Sequence, residues 1–316
     1  MQEKILNALK TAPGYLSGEE LSHSLKISRQ ALWKHIHQLK EAGYEINAVP
    51  HLGYQLISAP DRLFPFEIRY GLKTKFCGHT ISYFDTVSST MDIANSLALD
   101  GAKEGTLVVS ENQAKGRGRL GRSWQSPKYK GIYFSLILRP QLPLQEVAIL
   151  TLLTAVGVCE AIREETAIEA QIKWPNDILF ESKKIGGILT ELNAESDRVR
   201  FVSLGVGLNV NSDRLVNQAG GVSLKELTGS ALDRAQLLKK VLEKIESYYL
   251  VFKKDGKQQI FKMWRQYAVT LGKRVKIASR EAKIEGVALD LDSDGALLIR
   301  TDSGTITRVI SGDVIH

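Results

Sequence analysis

The chain has 316 residues, a formal net charge of +7, and 43% hydrophobic and 24% charged residues. This length allows two or three domains with a substantial core, and the composition is that of an ordinary soluble globular protein. No apolar run reaches the roughly 18 residues that a membrane-spanning helix needs, and the N-terminus carries no signal-peptide pattern. Only Cys77 and Cys159 are cysteines, and neither has metal-ligand or redox spacing, so a reducing cytoplasm is expected.

Residues 1–62 have the pattern of a winged helix-turn-helix. A first helix is predicted over residues 2–9, and Ser17 and Ser28 are placed to cap a second and a third helix. The turn between those two helices has helix-turn-helix length. Residues 44–57 then alternate as a hairpin, which supplies the wing.

The third predicted helix carries cations and amide donors without an acidic residue between Ser28 and Lys40. Such side chains suit phosphates and base edges in a major groove, so this helix is predicted to bind DNA. The candidate DNA-binding residues are Ser17, Ser28, Arg29, Gln30, Trp33, Lys34, His35 and Gln38. The alternatives are a protein–protein module with a solvated charged face and, for Trp33, a place in the core.

The second region, residues 63–268, alternates strands and helices after a linker near residues 58–65. Strands are predicted at 80–84, 105–111, 131–138, 170–173, 177–180, 187–192 and 199–210, and helices at 89–99, 144–165, 233–253 and 258–267. Several strands follow each other through short turns, which favours an α+β fold: a mixed β-sheet with helices on one face.

The third region, residues 269–316, consists of strands and turns and is predicted to form a small β-barrel. The segment from Asp290 to Gly295 imitates the start of a calcium loop. Position twelve of such a loop is Thr301 here, and strands flank the segment. Asp294-Gly295 is therefore interpreted as a hairpin turn.

A basic loop, residues 115–124 with the sequence KGRGRLGRSW, is the most informative segment of the chain. Its glycines allow close backbone approach, its arginines can surround a polyanion, and Trp124 offers a flat face for a planar group. A solvated basic loop or an RNA-binding patch is the alternative. The G-x-G-x-x-G spacing does not indicate a dinucleotide fold, because a predicted strand rather than a helix follows the glycines.

Three further motifs belong to the central region. They are Lys173-Trp174-Pro175-Asn176-Asp177, Lys184 with Gly186-Gly187, and Gly205-x-Gly207-x-Asn209. Glycines within strands let another group press against the backbone, although they also mark bulges. Each motif alone is weak evidence of function.

Together with Ser88-Ser89-Thr90, Gln113 and the basic loop, these motifs closely resemble those of the biotin–protein ligases, in the family's order and spacing. The winged helix and the C-terminal barrel, which the resemblance makes SH3-like, match the bifunctional form that is both ligase and biotin-operon repressor. The resemblance covers essentially the whole chain. Leu120 and Ser123 stand where some family members carry basic residues.

The resemblance implies that biotin's carboxylate attacks the α-phosphorus of ATP, with Mg²⁺, to give biotinyl-5′-AMP and pyrophosphate. The biotin then passes to a lysine of a carboxylase carrier domain. Lys184, Arg119 and Arg117 are the implied catalytic residues, and no protein-held metal site is expected. Two alternatives remain: a lipoate–protein ligase-type acyltransferase, and a ligand-sensing DNA-binding regulator with weak or no ligase activity.

The resemblance also assigns two sets of binding residues. The implied biotin-binding residues are Ser89, Thr90, Met91, Gln113, Arg117, Gly118, Arg119, Lys184, Gly186 and Gly205. The implied nucleotide-binding residues are Gly116, Arg119, Arg122, Trp124, Asn176, Asp177, Lys184 and Asn209. Operator DNA and a homodimer formed on adenylate binding are the other implied partners.

Overall fold

The computed structural model describes residues 1–195, 198–213, 220–278 and 283–315. The chain divides into two compact units, Met1–Arg62 and Leu63–His316. Parts of the predicted C-terminal barrel, at residues 279–282 and 316, lie outside the described residues.

The N-terminal unit is a winged helix-turn-helix, as the sequence predicted. Its elements are α1 (Gln2–Thr11), α2 (Gly18–Leu25), α3 (Arg29–Glu41), β1 (Glu45–Val49) and β2 (Gly53–Ser58). Both predicted caps form: Ser17 Oγ accepts the Glu19 N–H at 3.2 Å and Ser28 Oγ accepts the Ala31 N–H at 3.1 Å. The inner face of α3 is apolar, and β1 and β2 pair antiparallel as the wing.

The second unit is built on a mixed sheet of seven strands. They are β3 (Ile81–Phe84), β4 (Leu107–Ser110), β5 (Gly131–Leu138), β6 (Gln171–Lys173), β7 (Asp177–Phe180), β8 (Lys183–Glu195) and β9 (Arg198–Asn209). The order across the sheet is β3-β4-β5-β9-β8-β7-β6. The β3–β4 pair is parallel and the remaining pairs are antiparallel, which confirms the predicted mixed sheet.

Six helices accompany the sheet in the described residues: α4 (Pro65–Arg69), α5 (Thr90–Leu99), α6 (Val147–Thr166), α7 (Leu224–Thr228), α8 (Arg234–Asp255) and α9 (Gln258–Tyr267). The main helical layer, α6 and α8, covers one face, where Leu136 and Leu138 of β5 join its core. Ile137 points the other way and packs with Ala94 and Ala98 of α5. Successive side chains of a strand alternate between faces, so α5 lies on the face of the sheet opposite to α6 and α8. The sequence had predicted helices on one face only.

The segment Leu144–Thr166 corrects one sequence expectation, because its 23 residues are long and apolar enough to cross a membrane by length and composition. In the fold, 72% of its most apolar stretch is buried. Leu150, Leu153 and Val156 belong to the main core. The segment contains the core helix α6, whose hydrophobicity serves packing between the sheet and α8.

The last part of the second unit is a five-stranded antiparallel sheet in the order β13-β12-β11-β10-β14, consistent with the predicted small barrel. Its strands are β10 (Arg274–Ala278), β11 (Lys283–Leu291), β12 (Leu297–Arg300), β13 (Ile306–Val309) and β14 (Asp313–Ile315). Gly295, at a φ of 86°, forms the predicted turn between β11 and β12. The buried Trp174 donates its indole N–H to the Gly295 carbonyl at 3.2 Å, which anchors this sheet to the larger one.

Candidate functional site

A cavity of about 780 Å³ lies against the sheet face that carries Gly205 and Gly207. The start of α5, the basic loop, the β7–β8 region and two residues of the C-terminal sheet region, Lys273 and Asp313, complete its walls. Most of the predicted site residues line it: Ser89, Thr90, Met91, Gln113, Arg117, Gly118, Arg119, Arg122, Trp124, Asn176, Asp177, Lys184 and Gly205. Motifs that are far apart in sequence therefore meet in one place.

Three predicted site residues, Gly116, Gly186 and Asn209, do not line this cavity. A Cβ on Gly116 would lie 2.4 Å from the Trp124 carbonyl oxygen, and one on Gly186 would lie 2.8 Å from the Gly207 carbonyl oxygen. The Asn209 side-chain amide donates to the Lys184 carbonyl at 3.2 Å. These residues support the wall from behind.

One end of the cavity is a network of neutral hydrogen-bonding groups around Gln113. Its Oε1 accepts the Thr90 N–H at 2.9 Å and the Thr90 hydroxyl at 3.1 Å, and its Nε2 donates to Ser126 Oγ at 3.1 Å. Ser135, from β5, donates to Thr90 Oγ1 at 2.8 Å. The network fixes the direction of each amide and hydroxyl, so this end presents oriented neutral groups to a ligand.

The basic loop folds back on itself over the cavity. The Gly118 N–H donates to the Arg122 carbonyl at 2.7 Å, and the Trp124 N–H donates to the Gly116 carbonyl at 2.8 Å. Leu120 and Gly121 make the turn at φ values of 56° and 76°. The loop thus has a defined hairpin-like conformation with its arginines on the cavity side.

Arg117 and Arg122 are each held by acidic side chains from other segments. Arg117 Nη2 lies 2.8 Å from Asp92 Oδ1 and 3.2 Å from Glu191 Oε1. Arg122 forms an ion pair with Asp313 of β14. Asp92 lies in the first turn of α5, so the start of this helix contacts the basic loop.

Arg119 and Lys184 stand over the β7 end of the cavity. Arg119 Nη1 donates to Asn176 Oδ1 at 3.0 Å and to the Gly312 carbonyl at 3.3 Å. Burial lowers the pKa of the Arg119 guanidinium, an effect that Asp177 opposes. Lys184 Nζ lies 2.7 Å from Asp177 Oδ1, so two cations and one carboxylate meet here.

Trp124 lies flat on the part of the sheet that has no side chains. A Cβ on Gly207 would be 2.5 Å from its Cε2, and one on Gly187 would be 3.4 Å from its Cζ3. Lys184 Nζ is 5.5 Å from the centre of the indole ring system. The indole N–H is buried without a hydrogen-bond partner among the described residues.

Several lining residues were not among the predicted site residues. Gly187, Gly207 and Lys173 belong to the quoted motifs, and burial lowers the pKa of the Lys173 ammonium. Lys273 and Asp313 also line the cavity, and no sequence pattern in the C-terminal region indicated them. No group of three or more His, Cys, Asp or Glu side chains in the described part of the chain could hold a metal ion.

The candidate DNA-binding residues divide into two groups. Arg29, Gln30, Trp33 and Lys34 are exposed on α3, and Trp33 is 60% exposed, so the alternative core position for Trp33 is wrong. His35 Nδ1 lies 3.3 Å from Gln38 Oε1, which also accepts from Gln2 of α1 at 3.0 Å. Gln38 is therefore turned toward α1, while Ser17 and Ser28 serve as helix caps.

Comparison with known proteins identifies the family of the chain. Residues 83–209 match the biotin/lipoate A/B protein ligase family, residues 1–55 match an HTH domain, and residues 270–316 match the biotin protein ligase C terminal domain. The bifunctional ligase/repressor BirA of Bacillus subtilis strain 168 is 43% identical over 306 residues, which cover 95% of this chain and 93% of that protein. The chain belongs to the bifunctional biotin–protein ligase family.

Two further proteins are similar to this ligase over most of their own length. The bifunctional ligase/repressor BirA of Escherichia coli K12 is 29% identical over 316 residues, covering 98% of this chain and 95% of that protein. A solved biotin protein ligase from Aquifex aeolicus, in complex with biotin and ATP, is similar with a TM-score of 0.66 and 32% identity. The match covers 75% of this chain and 98% of that one.

Proposed function

We propose that the protein is an ATP-dependent biotin–protein ligase that makes biotinyl-5′-AMP and transfers biotin to a lysine of a carboxylase carrier domain. It also acts as a biotin-responsive transcriptional repressor. The observation that carries the proposal is one cavity with an oriented neutral network at one end and a cluster of cations at the other. A ligand with a neutral polar ring and an anionic tail, joined to a nucleotide, matches those two ends.

The neutral end suits the ureido ring of biotin. This ring offers two N–H donors and one carbonyl acceptor, which need fixed partners. Thr90 and Gln113 are held in one orientation by Ser135 and Ser126, and Met91 packs against Gly205 beside them. The apolar part of biotin would lie beside Met91, which this glycine allows to pack close to the strand.

The cationic end suits the reaction between the two anions. Biotin's carboxylate attacks the α-phosphorus, a new P–O bond forms, and the bond to pyrophosphate breaks. Lys184 neutralises charge on the carboxylate and the α-phosphate, and Arg119 and Arg122 close over the phosphates. Trp124 packs against the adenine and Asn176 orients Arg119.

Mg²⁺ would bind together with ATP, through the phosphates of the nucleotide. No cluster in the described ranges could hold the ion without the nucleotide, and Mg²⁺ is commonly bound through substrate phosphates with one or two carboxylates. Asp177 is the carboxylate nearest to Lys184 in the cavity. The bound ion would supply charge neutralisation for the pyrophosphate leaving group.

The repressor activity rests on the N-terminal unit. We assign residues 1–62 to operator binding, 63–268 to catalysis and 269–316 to a small domain that contacts the nucleotide end through Gly312 and Asp313. Adenylate binding to the basic loop favours a homodimer through the edge of the central sheet. Such a dimer presents two copies of α3 to a palindromic operator, in the cytoplasm.

The test mixes the protein with ATP, Mg²⁺ and biotin, and measures retained biotinyl-AMP by mass spectrometry and biotin transfer to a carrier domain. Lys184→Ala should abolish most adenylate synthesis, whereas Lys183→Ala, its exposed neighbour on β8, should remain active. A Lys184→Ala protein that releases pyrophosphate normally would contradict the assignment. Activity with lipoate in place of biotin would support the acyltransferase alternative, and operator binding without adenylate synthesis would support the regulator alternative.

A further inference from the structure

The outer face of α3 presents an unusual residue for a solvated surface, the large apolar side chain of Trp33. It is 60% exposed, while Leu32 and Ile36 beside it are buried in the N-terminal unit. Exposed arginine and lysine residues flank it, at Arg29 and Lys34. The exposed tryptophan therefore sits inside a cationic surface.

The indole of Trp33 is also held in place. The imidazole of His37, one helical turn further along, stacks on it with ring centroids 5.4 Å apart and an angle of 3° between the planes. His37 Nε2 in turn lies 3.5 Å from Glu41 Oε1. Because two successive turns of the helix support the ring, contact with a partner costs little additional side-chain entropy.

We propose that Trp33 reads thymine methyl groups in the major groove of operator DNA. This inference rests on the proposed DNA binding and adds a specificity determinant to it. The thymine methyl is the apolar group that base pairs present in the major groove, and an apolar side chain is its natural contact. Trp33 lies in the first half of α3 (Arg29–Glu41), and the N-terminal residues of a recognition helix contact base edges.

The surroundings of Trp33 favour DNA over a protein partner as the occupant of this surface. Arg29 and Lys34 supply charge complementary to phosphates, and Gln30 supplies an amide that can pair with adenine. The acidic residue of this face, Glu41, lies at the far end of the helix next to His37. An adenine–thymine base pair would offer the edge of the adenine to the amide of Gln30 and the methyl group of the thymine to Trp33.

The experiment uses the full chain with biotin, ATP and Mg²⁺. Duplexes that bind are first selected from a random-sequence DNA library, and the tightest one is then synthesised with thymine or with deoxyuridine, which lacks only the methyl group. The parent protein should bind the deoxyuridine duplex roughly fourfold more weakly for each methyl that is contacted. Trp33→Ala should bind both duplexes alike, and Trp33→Phe should keep part of the preference.

Lys34→Ala is the matched control, because loss of a phosphate contact should weaken binding to both duplexes by the same factor. Circular dichroism should show unchanged folding of the Trp33→Ala protein, since the side chain is exposed. Equal binding of the two duplexes by the parent protein overturns the inference and leaves DNA binding intact. If no duplex is selected, the proposed repressor function fails and the inference fails with it. If Trp33→Ala leaves the methyl preference intact and instead impairs biotin transfer to the carrier, the surface serves a protein.

Discussion

Gly207→Ala tests how the cavity is built, because the added Cβ would meet the ring of Trp124. The Cβ would lie 2.5 Å from Cε2 and 2.6 Å from Nε1 of the indole, about 1 Å inside the usual contact distance of ~3.5 Å between such atoms. The ring must therefore rise from the strand into the space proposed for adenine. A displacement of about 1 Å in a positioning group costs on the order of 100-fold in rate.

We expect Gly207→Ala to lower kcat/KM for ATP by about 100-fold with a small effect on KM for biotin. The effect on thermal stability should also be small, because Trp124 belongs to a half-exposed loop. Gly187→Ala is the matched control: Gly187 pairs with Gly207 across β8 and β9, and its Cβ would lie 3.4 Å from the same ring, an ordinary contact.

Gly205→Ala should affect the other substrate, because its Cβ would lie 2.7 Å from Met91 Sδ at the neutral end. The assay is pyrophosphate release with either ATP or biotin varied, together with thermal unfolding. Normal kinetics for Gly207→Ala, or equal losses in Gly187→Ala and Gly207→Ala, would refute the placement of the nucleotide over Trp124. A rise in KM for ATP rather than for biotin in Gly205→Ala would reverse the proposed orientation of the ligand.

Three further substitutions probe other contacts. Arg119→Gly should still form biotinyl-AMP but release it faster, so that unrelated lysines become biotinylated; unchanged retention would transfer the clamping role to another cation. Asp177→Asn removes the carboxylate proposed to share Mg²⁺ with the nucleotide, so adenylate synthesis should fall and should need a higher Mg²⁺ concentration; an unchanged Mg²⁺ dependence would contradict a metal-binding role for Asp177. Arg234→Met removes a fully buried ion pair, the 2.8 Å contact with Glu111, and urea unfolding should show a loss of roughly 3–5 kcal/mol; a loss below 1 kcal/mol would contradict this.

The sequence was sufficient for features that depend on neighbours along the chain. Ser17 and Ser28 cap their helices as predicted, because a cap needs only a hydroxyl and the next few backbone N–H groups. The turn at Asp294-Gly295 forms for the same local reason. The motifs also identified most of the cavity wall, since a family resemblance carries information about distant contacts that local patterns lack.

Long-range contacts were not predictable in this way. The partners of the basic loop, Asp92, Glu191 and Asp313, come from α5, β8 and β14, and no spacing relates those positions to the loop. Trp33 is another example. Its helical spacing allowed a core position, but the three-helix unit buries Leu32, Ile36 and Leu39 and leaves Trp33 on the outer side.

The site lies where the sheet lacks side chains, and the alternation of β9 explains why. Val202, Leu204 and Leu208 point into the core beneath α6 and α8, so Gly205 and Gly207 face the opposite side. Larger residues there would fill the space that Met91 and Trp124 now border. The apolar layer packs one face of the sheet, and the glycines on its other face let Met91 and Trp124 lie close against the backbone, where they border the cavity. A packed floor with cations held above it suits a reaction between two anions, because the floor positions the reactants and the loop supplies the charge.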